Sequence, residues 1–126
     1  MNQPYSLGSG DVARLLQNTE GKVRLAAALT LLGGLRIGEV CDLRHRDVVV
    51  GAENATIYIG GMRTVAASGQ LRDLLAERQG APDDLVIGWT CATLRRMLQR
   101  AMLSQGIKAS VHSLRHTGVA SMVAGE

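Results

Sequence analysis

A chain of 126 residues with 46% hydrophobic side chains fits one domain that buries a modest core. Phe is absent and Tyr5, Tyr58 and Trp89 are the only aromatic residues, so the core is aliphatic and a site that stacks single-stranded bases is disfavoured. The net charge is +3, and because Lys22 and Lys108 are the only lysines, most basic side chains are arginines, whose planar fork suits contacts with phosphate.

The N-terminal part of the chain predicts two helices. Ser9 is a candidate N-cap for the first helix, which ends near Asn18 and has apolar residues at helical spacing, namely Val12, Leu15 and Leu16. The second helix opens at Thr19 or Gly21 and ends at the glycine pair 33–34. Its many alanines and leucines predict that it is buried on most of its faces.

A third helix is predicted to begin at Arg36, directly after the glycine pair, with apolar residues at Ile37, Val40 and Cys41. Gly33 and Gly34 would let the backbone approach a ligand closely, and a helix N-terminus favours an anion. Arg36 is therefore a candidate anion-binding residue. The alternative is an ordinary solvated arginine on a helix surface.

Short β-branched runs at residues 47–50, 56–59 and 63–66 predict a small three-stranded antiparallel sheet. Glycines between the second and third runs predict a tight turn, at which Arg63 projects away from the sheet. Arg63 is either a ligand-binding residue or a charged turn residue of the common kind.

Two further helices are predicted after the sheet. Ser68 is a candidate N-cap for a helix that carries Leu71, Leu74 and Leu75 and ends by Gly80, and residues 85–88 are predicted to be extended. Thr90 caps the last long helix, whose apolar side holds Leu94, Met97, Leu98, Ala101 and Met102. Its other side holds Arg95, Arg96, Gln99 and Arg100, which form either a DNA-contacting face or a solvated one.

The last recognisable segment is His112-Ser113-Leu114-Arg115-His116-Thr117. His112 and Arg115 are three residues apart and share one face of a helix, where together with a second arginine they would form a reasonable phosphate clamp. A metal cluster of His112, Arg115 and His116 is the weaker alternative, because no carboxylate or cysteine lies nearby to complete it.

Cys41 and Cys91 are too few and too far apart in sequence for a disulfide framework or a zinc site, and both are predicted to be small buried residues in a reduced compartment. The N-terminal residues lack the basic flank and apolar run of a signal peptide. The apolar run within the second helix is shorter than a membrane span requires. We therefore expect a cytoplasmic protein that makes no membrane contact.

Taken together, the segment Gly34-Leu35-Arg36-Ile37-Gly38-Glu39-Val40, the three strands and the His112-to-Thr117 box resemble the catalytic domain of the tyrosine recombinase or phage integrase family. The resemblance extends in element order from about Leu7 to Gly125. It implies an α+β, mainly helical fold with a small three-stranded antiparallel sheet, and a role in DNA recombination and integration.

The resemblance also implies roles for individual residues. Arg36 and Arg115 would contact the non-bridging oxygens of the scissile phosphate, and His112 would donate a hydrogen bond or transfer a proton there. His116 would support the site, and Glu39 would orient the first arginine. No metal and no cofactor is expected, and the expected partner is double-stranded DNA.

Two departures from the family pattern concern catalysis. Family members carry a lysine in the turn between the second and third strands as the proton donor to the leaving oxygen, whereas this turn carries Arg63, whose high pKa makes it a poor acid. The nucleophilic tyrosine of the family follows the His-x-x-Arg box by some tens of residues. Neither Tyr5 nor Tyr58 matches that position, so the chain as given is not expected to cleave DNA.

Three hypotheses follow for a single domain over residues 1–126, truncated at its C-terminal end and lacking the family's core-binding domain. The first is a fragment of an active integrase. The second is a naturally short, catalytically inactive relative that binds DNA or a protein partner as a regulatory or accessory factor, with self-association or partner binding through its truncated C-terminal side. The third is an unrelated small helical DNA-binding or interaction domain.

Overall fold

The computed structural model describes residues 9–107, which contain five helices and one sheet. In chain order the elements are α1 (Ser9–Gln17), α2 (Gly21–Leu31), α3 (Ile37–Asp42), a 3-10 turn (His45–Asp47), β1 (Val48–Val50), β2 (Asn54–Ile59), β3 (Arg63–Ser68), α4 (Gly69–Glu77) and α5 (Cys91–Ser104). The fold is α+β and mainly helical, which confirms the class predicted from the sequence.

Helix α2 forms the centre of the domain. Every residue from Leu25 to Leu31 is buried, and the helix contacts α1, α3, α4 and α5. A helix that is apolar on all sides must be covered on all sides, and the surrounding helices provide that cover. Within residues 9–107 no helix combines the length and hydrophobicity needed to cross a bilayer.

The three strands form an antiparallel sheet in the order β1-β2-β3. Val48 pairs with Ile57 across the first two strands, and Ile57 pairs with Val65 across the second and third. Alternate residues face the core, where α4 packs against the sheet; the buried ones are Val48, Ala55, Ile57, Val65 and Ala67. This alternation is typical of a sheet that has one face on the core and one in solvent.

The observed element boundaries differ from the predicted ones in small ways. The first strand begins at Val48 because His45–Asp47 forms a 3-10 turn, which has no distinct apolar pattern in the sequence. The last helix is capped as predicted, since the Thr93 N–H donates to Thr90 Oγ1 at 3.1 Å. Ser68 occupies the N-cap position of α4, but its side chain makes no capping hydrogen bond.

The prediction that both cysteines are buried is confirmed for one of them and wrong for the other. Cys41 on α3 is buried, whereas Cys91, the first residue of α5, is exposed. Contact between α3 and α5 brings the two thiols together although they are 50 positions apart, and both are free. Burial, followed by the Cys91 thiol, raises the pKa of Cys41 to about 12, so this thiol stays protonated at neutral pH.

The junction between α2 and α3 determines where Arg36 stands. Gly34 has a φ of 73°, which glycine adopts without strain, and its N–H donates to Thr30 O at 3.2 Å. Leu35 is fully buried, and its N–H donates to Leu29 O at 3.2 Å. The chain is therefore anchored in the core one residue before Arg36, which leaves that residue little positional freedom.

Replacing Gly33 with Ala should destabilise this junction. A Cβ at Gly33 would lie 2.7 Å from the backbone oxygen of Leu29, so the turn must shift. We expect the free energy of unfolding to fall by about 1–3 kcal/mol, the usual cost of overpacking. Urea denaturation of the purified protein measures this difference.

Gly38→Ala is the matched control for that substitution. A Cβ at Gly38 would meet no heavy atom within 4 Å, and the residue lies inside α3. We expect Gly38→Ala to leave stability unchanged or to raise it by about 0.5–1 kcal/mol, because alanine loses less conformational entropy in a helix. Equal effects of the two substitutions would contradict the close packing assigned to Gly33.

Candidate functional site

Arg36 is the residue immediately before α3, and it is exposed. Its backbone is extended, with φ −77° and ψ 156°, as is usual for the residue that precedes a helix. No hydrogen bond or ion pair of its guanidinium is recorded within residues 9–107. A cation held by a rigid junction and directed at solvent is suited to contact an external anion.

Glu39 links Arg36 to the hairpin between β2 and β3. Its Oε1 accepts a hydrogen bond from the Arg36 backbone N–H at 2.9 Å. The same carboxylate receives two hydrogen bonds from the Arg63 guanidinium, at 2.6 Å to Oε2 and 3.0 Å to Oε1. One carboxylate therefore joins the start of α3 to the first residue of β3, which lie 27 positions apart.

This pairing shifts the pKa of both partners away from its ordinary value. The Arg63 hydrogen bonds lower the pKa of Glu39 most, burial opposes them, and the Arg36 N–H lowers the pKa further. The Glu39 carboxylate in turn raises the already high pKa of Arg63. Glu39 is therefore ionised at neutral pH, and Arg63 is an even weaker proton donor than a free arginine.

The side chain of Arg63 lies against α3, because the pair with Glu39 draws it there from the turn. Two of its five N–H donors point at the carboxylate, which leaves three for another acceptor. Glu39, predicted to orient Arg36, contacts that residue through its backbone N–H and makes its side-chain ion pair with Arg63. Among the described residues Arg63 is ion-paired with Glu39, and the charge of Arg36 also helps to lower the pKa of Glu39.

A recess of about 260 Å³ lies between α3 and the hairpin, beside the Glu39–Arg63 pair. Tyr58, Asp42 and Asp47 line it together with the pair, and 91% of Met62 at the hairpin tip is exposed. Tyr58, Asp42 and Asp47 were not among the residues predicted for the site. The Glu39–Arg63 pair connects this recess to the start of α3.

Residues 108–126 lie outside the described part of the chain, and they include His112, Arg115 and His116. The predicted convergence of these residues on Arg36 therefore remains a prediction. Within residues 9–107, no group of three or more His, Cys, Asp or Glu side chains has the arrangement needed to hold a metal ion.

Helix α5 presents the predicted basic face. Arg95, Arg96 and Arg100 are exposed, whereas Leu94, Leu98 and Met102 on the other side are fully buried. Arg96 donates to Thr93 Oγ1 at 3.5 Å, a contact within the helix. An exposed basic face of this kind is compatible with both predicted alternatives, a DNA-contacting face and a solvated one.

Helices around a buried α2, an arginine at the start of α3 and a three-stranded antiparallel sheet define a known class of fold, that of the tyrosine recombinase catalytic domain. The XerA recombinase superposes with a TM-score of 0.79 at 20% identity, over 99% of this chain and 51% of that one. An integrase from mycobacterium phage Brujita gives 0.77 at 18% identity, over 98% and 45%. The XerH recombinase, in a pre-cleavage complex with its difH substrate, gives 0.76 at 20% identity, over 98% and 44%.

These similarities confirm the fold that the motifs predicted. The chain spans about half of the length of the recombinases it matches, or slightly less. No protein-family model matches the sequence, and no curated protein sequence is significantly similar to it. At identities of 18–20% the comparison concerns the fold, and the chemistry has to be argued from the residues.

Replacing Glu39 with Gln should alter the pH dependence of stability. Since the folded pKa of Glu39 is lowered below its ordinary value of 4.5, its ion pair stabilises the protein above that pH and is lost as the pH falls through the folded pKa. Because 42% of the Arg63 side chain is exposed, we expect Glu39→Gln to lower the free energy of unfolding near neutral pH by at most about 1 kcal/mol.

Urea denaturation at neutral and acidic pH measures this effect, with Glu53→Gln as the control. Glu53 is exposed in the turn before β2, and no ion pair is recorded for it among the described residues. The free energy of unfolding should fall less on acidification in Glu39→Gln than in wild type or Glu53→Gln. Parallel curves for all three proteins would show that the Glu39–Arg63 pair contributes nothing to stability.

Proposed function

We propose that this chain is an integrase-like DNA-binding domain of site-specific recombination that engages a DNA phosphate through Arg36, Arg115 and His112. The observation that carries the proposal is the position of Arg36 in this fold: exposed, anchored through Leu35 and directed outward at the start of α3. Two arginines and a histidine supply the fork-shaped and directional donors that a phosphodiester accepts.

Glu39 contributes by holding the hairpin against α3. With the carboxylate bound to both the Arg36 N–H and the Arg63 guanidinium, the hairpin tip and the first arginine form one rigid unit. We infer that Arg63 uses its three remaining donors to bind phosphate, while the charge of Glu39 restricts it to a binding role. His116 would support the site from the His112-to-Thr117 segment.

A second candidate function is favoured by the state of Arg63. The turn position at which the family supplies a proton donor holds an arginine whose pKa is raised further by Glu39. A general acid is most effective when its pKa is near the working pH, and Arg63 is far from it. A domain of this kind suits DNA binding or partner binding as a regulatory or accessory factor better than it suits strand cleavage.

Arg36→Ala and Arg115→Ala should each weaken binding to duplex DNA. Removing one charge-assisted hydrogen-bonding group costs about 1.5–3 kcal/mol, which corresponds to a loss of roughly tenfold to a hundredfold in affinity. Each variant should also reduce the slope of log affinity against log salt by about one, because one fewer phosphate is neutralised. Fluorescence anisotropy titrations at several salt concentrations give both quantities.

Arg14→Ala is the control for charge. Arg14 is exposed on α1, where its guanidinium pairs with Asp11 at 2.5 Å, and it belongs to none of the motifs. Its removal lowers the net charge by the same amount and should change affinity little. If all three variants lost affinity equally, general electrostatic attraction and not a phosphate clamp would explain the binding.

The 126 residues should form no covalent adduct with a nicked suicide substrate. Tyr58 lies in β2, and Tyr5 precedes α1, so neither has the position relative to the His112-to-Thr117 box that the family's nucleophile occupies. Denaturing electrophoresis after incubation should show free protein alone. A protein–DNA band that disappears in Tyr58→Phe or Tyr5→Phe would identify that tyrosine as a nucleophile. It would contradict the prediction that the chain does not cleave DNA.

A further inference from the structure

A second cationic recess lies at the N-terminal end of α2. It has a volume of about 350 Å³, and the side chains of Lys22, Arg24, His45 and Arg78 line it. Glu77 is the only carboxylate among its lining residues in the described part of the chain, so three fixed positive charges face one negative charge. Nothing in the proposed DNA contact accounts for this concentration of cations.

This recess is far from the Arg36 site. Arg36 follows the C-terminal end of α2, whereas Lys22 lies in the first turn of the same 11-residue helix, about 16 Å away along its axis. His45 follows α3, which starts at Arg36 and runs away from it. The two cationic sites therefore lie at opposite ends of the helix pair and cannot share one phosphate.

The two arginines of the recess keep part of their hydrogen-bonding capacity unused. Within residues 9–107 the Nε atoms of Arg24 and Arg78 are buried and have no hydrogen-bond partner, while Arg24 Nη2 donates to Gln17 O at 3.4 Å. Glu20 is the N-cap residue of α2 but makes no capping hydrogen bond, and the first turn contains no acidic residue. Donors without acceptors are costly, so the charge of these arginines is only partly compensated within the described protein.

Arg78 is also held rigidly in place. Its Nη1 donates to Leu75 O at 2.7 Å, and its Nη2 donates to His45 O at 3.0 Å and to Val48 O at 3.2 Å. These bonds tie the end of α4 to the 3-10 turn and to β1. The guanidinium is thus positioned before any ligand arrives.

His45 forms part of the recess wall and is 92% buried, with a relative exposure of 8%. Its ring packs against Gly80, where any Cβ would overlap the imidazole, and no hydrogen bond of the ring is recorded within residues 9–107. Burial, followed by the charge of Arg78, lowers the pKa of His45, so the ring is neutral near pH 7. A neutral imidazole still offers one N–H donor.

We propose that this recess binds the phosphate group of a small phosphorylated molecule. Three cations and an imidazole line one concave site at the N-terminal end of α2, a combination that suits a tetrahedral oxyanion. The ligand is small because His45 is buried in the wall, where a phosphodiester on the surface of a rigid duplex does not reach. The site is independent of the proposed DNA contact.

The test uses the full chain with inorganic phosphate as the probe. We expect phosphate to raise the melting temperature above that in potassium chloride of equal ionic strength, and to perturb the NMR signals of the His45 ring. Arg24→Gln and Lys22→Gln should each weaken phosphate binding about tenfold, the equivalent of one charge-assisted contact. Arg96→Gln, on the exposed face of α5, should bind phosphate as the wild type does.

The results that would overturn this phosphate site differ from those that would overturn the proposed DNA contact. Equal stabilisation by phosphate and chloride, or unchanged phosphate affinity in Arg24→Gln, overturns the site. Loss of phosphate binding in Arg36→Ala alone would locate the anion at the other end of α2 and overturn it as well. If Arg24→Gln weakens duplex DNA binding and DNA displaces phosphate from His45, the recess is a DNA contact and not a small-molecule site.

Discussion

The fold depends on the burial of α2 from Leu25 to Leu31. This segment has no exposed face, so it has to be enclosed, and α1, α3, α4 and α5 all pack against the helix. This requirement places the start of α3 at one end of the central helix and the 3-10 turn at the other. Both cationic sites of the domain follow from that arrangement, because Arg36 and His45 lie on either side of the short helix α3.

Glu39 is the second constraint, and it acts on chemistry more than on stability. A single carboxylate accepts hydrogen bonds from the Arg36 backbone and the Arg63 guanidinium and so links the hairpin to α3. The same contact removes Arg63 from consideration as a proton donor near neutral pH, since an ion pair stabilises the charged form. The Glu39–Arg63 pair thus determines the protonation behaviour of the hairpin arginine within a fold like that of recombinases.

Local signals were sufficient for most of the elements. Features that depend on neighbouring residues could be predicted from the sequence. They are the helical spacing in α5, the cap at Thr90 and the alternating pattern of the strands. The 3-10 turn at His45–Asp47 and the exposure of Cys91 could not be predicted, because neither produces a periodic pattern in the sequence. The resemblance that the Arg36 segment, the three strands and the His112-to-Thr117 box carry together also led to the correct fold, although the matched structures are only 18–20% identical to this chain.

The sequence by itself determined the class of fold and the identity of the candidate phosphate-binding residue Arg36, because helix periodicity, glycine breaks and short motifs are local properties. Only the tertiary structure decided which partner Glu39 takes, and that Lys22, Arg24, His45 and Arg78 surround one recess. Those residues span 57 positions of the chain, from Lys22 to Arg78 counted inclusively. Tertiary packing of α2, α4 and the 3-10 turn brings these residues together, and the spacing of residues along the chain does not predict that packing.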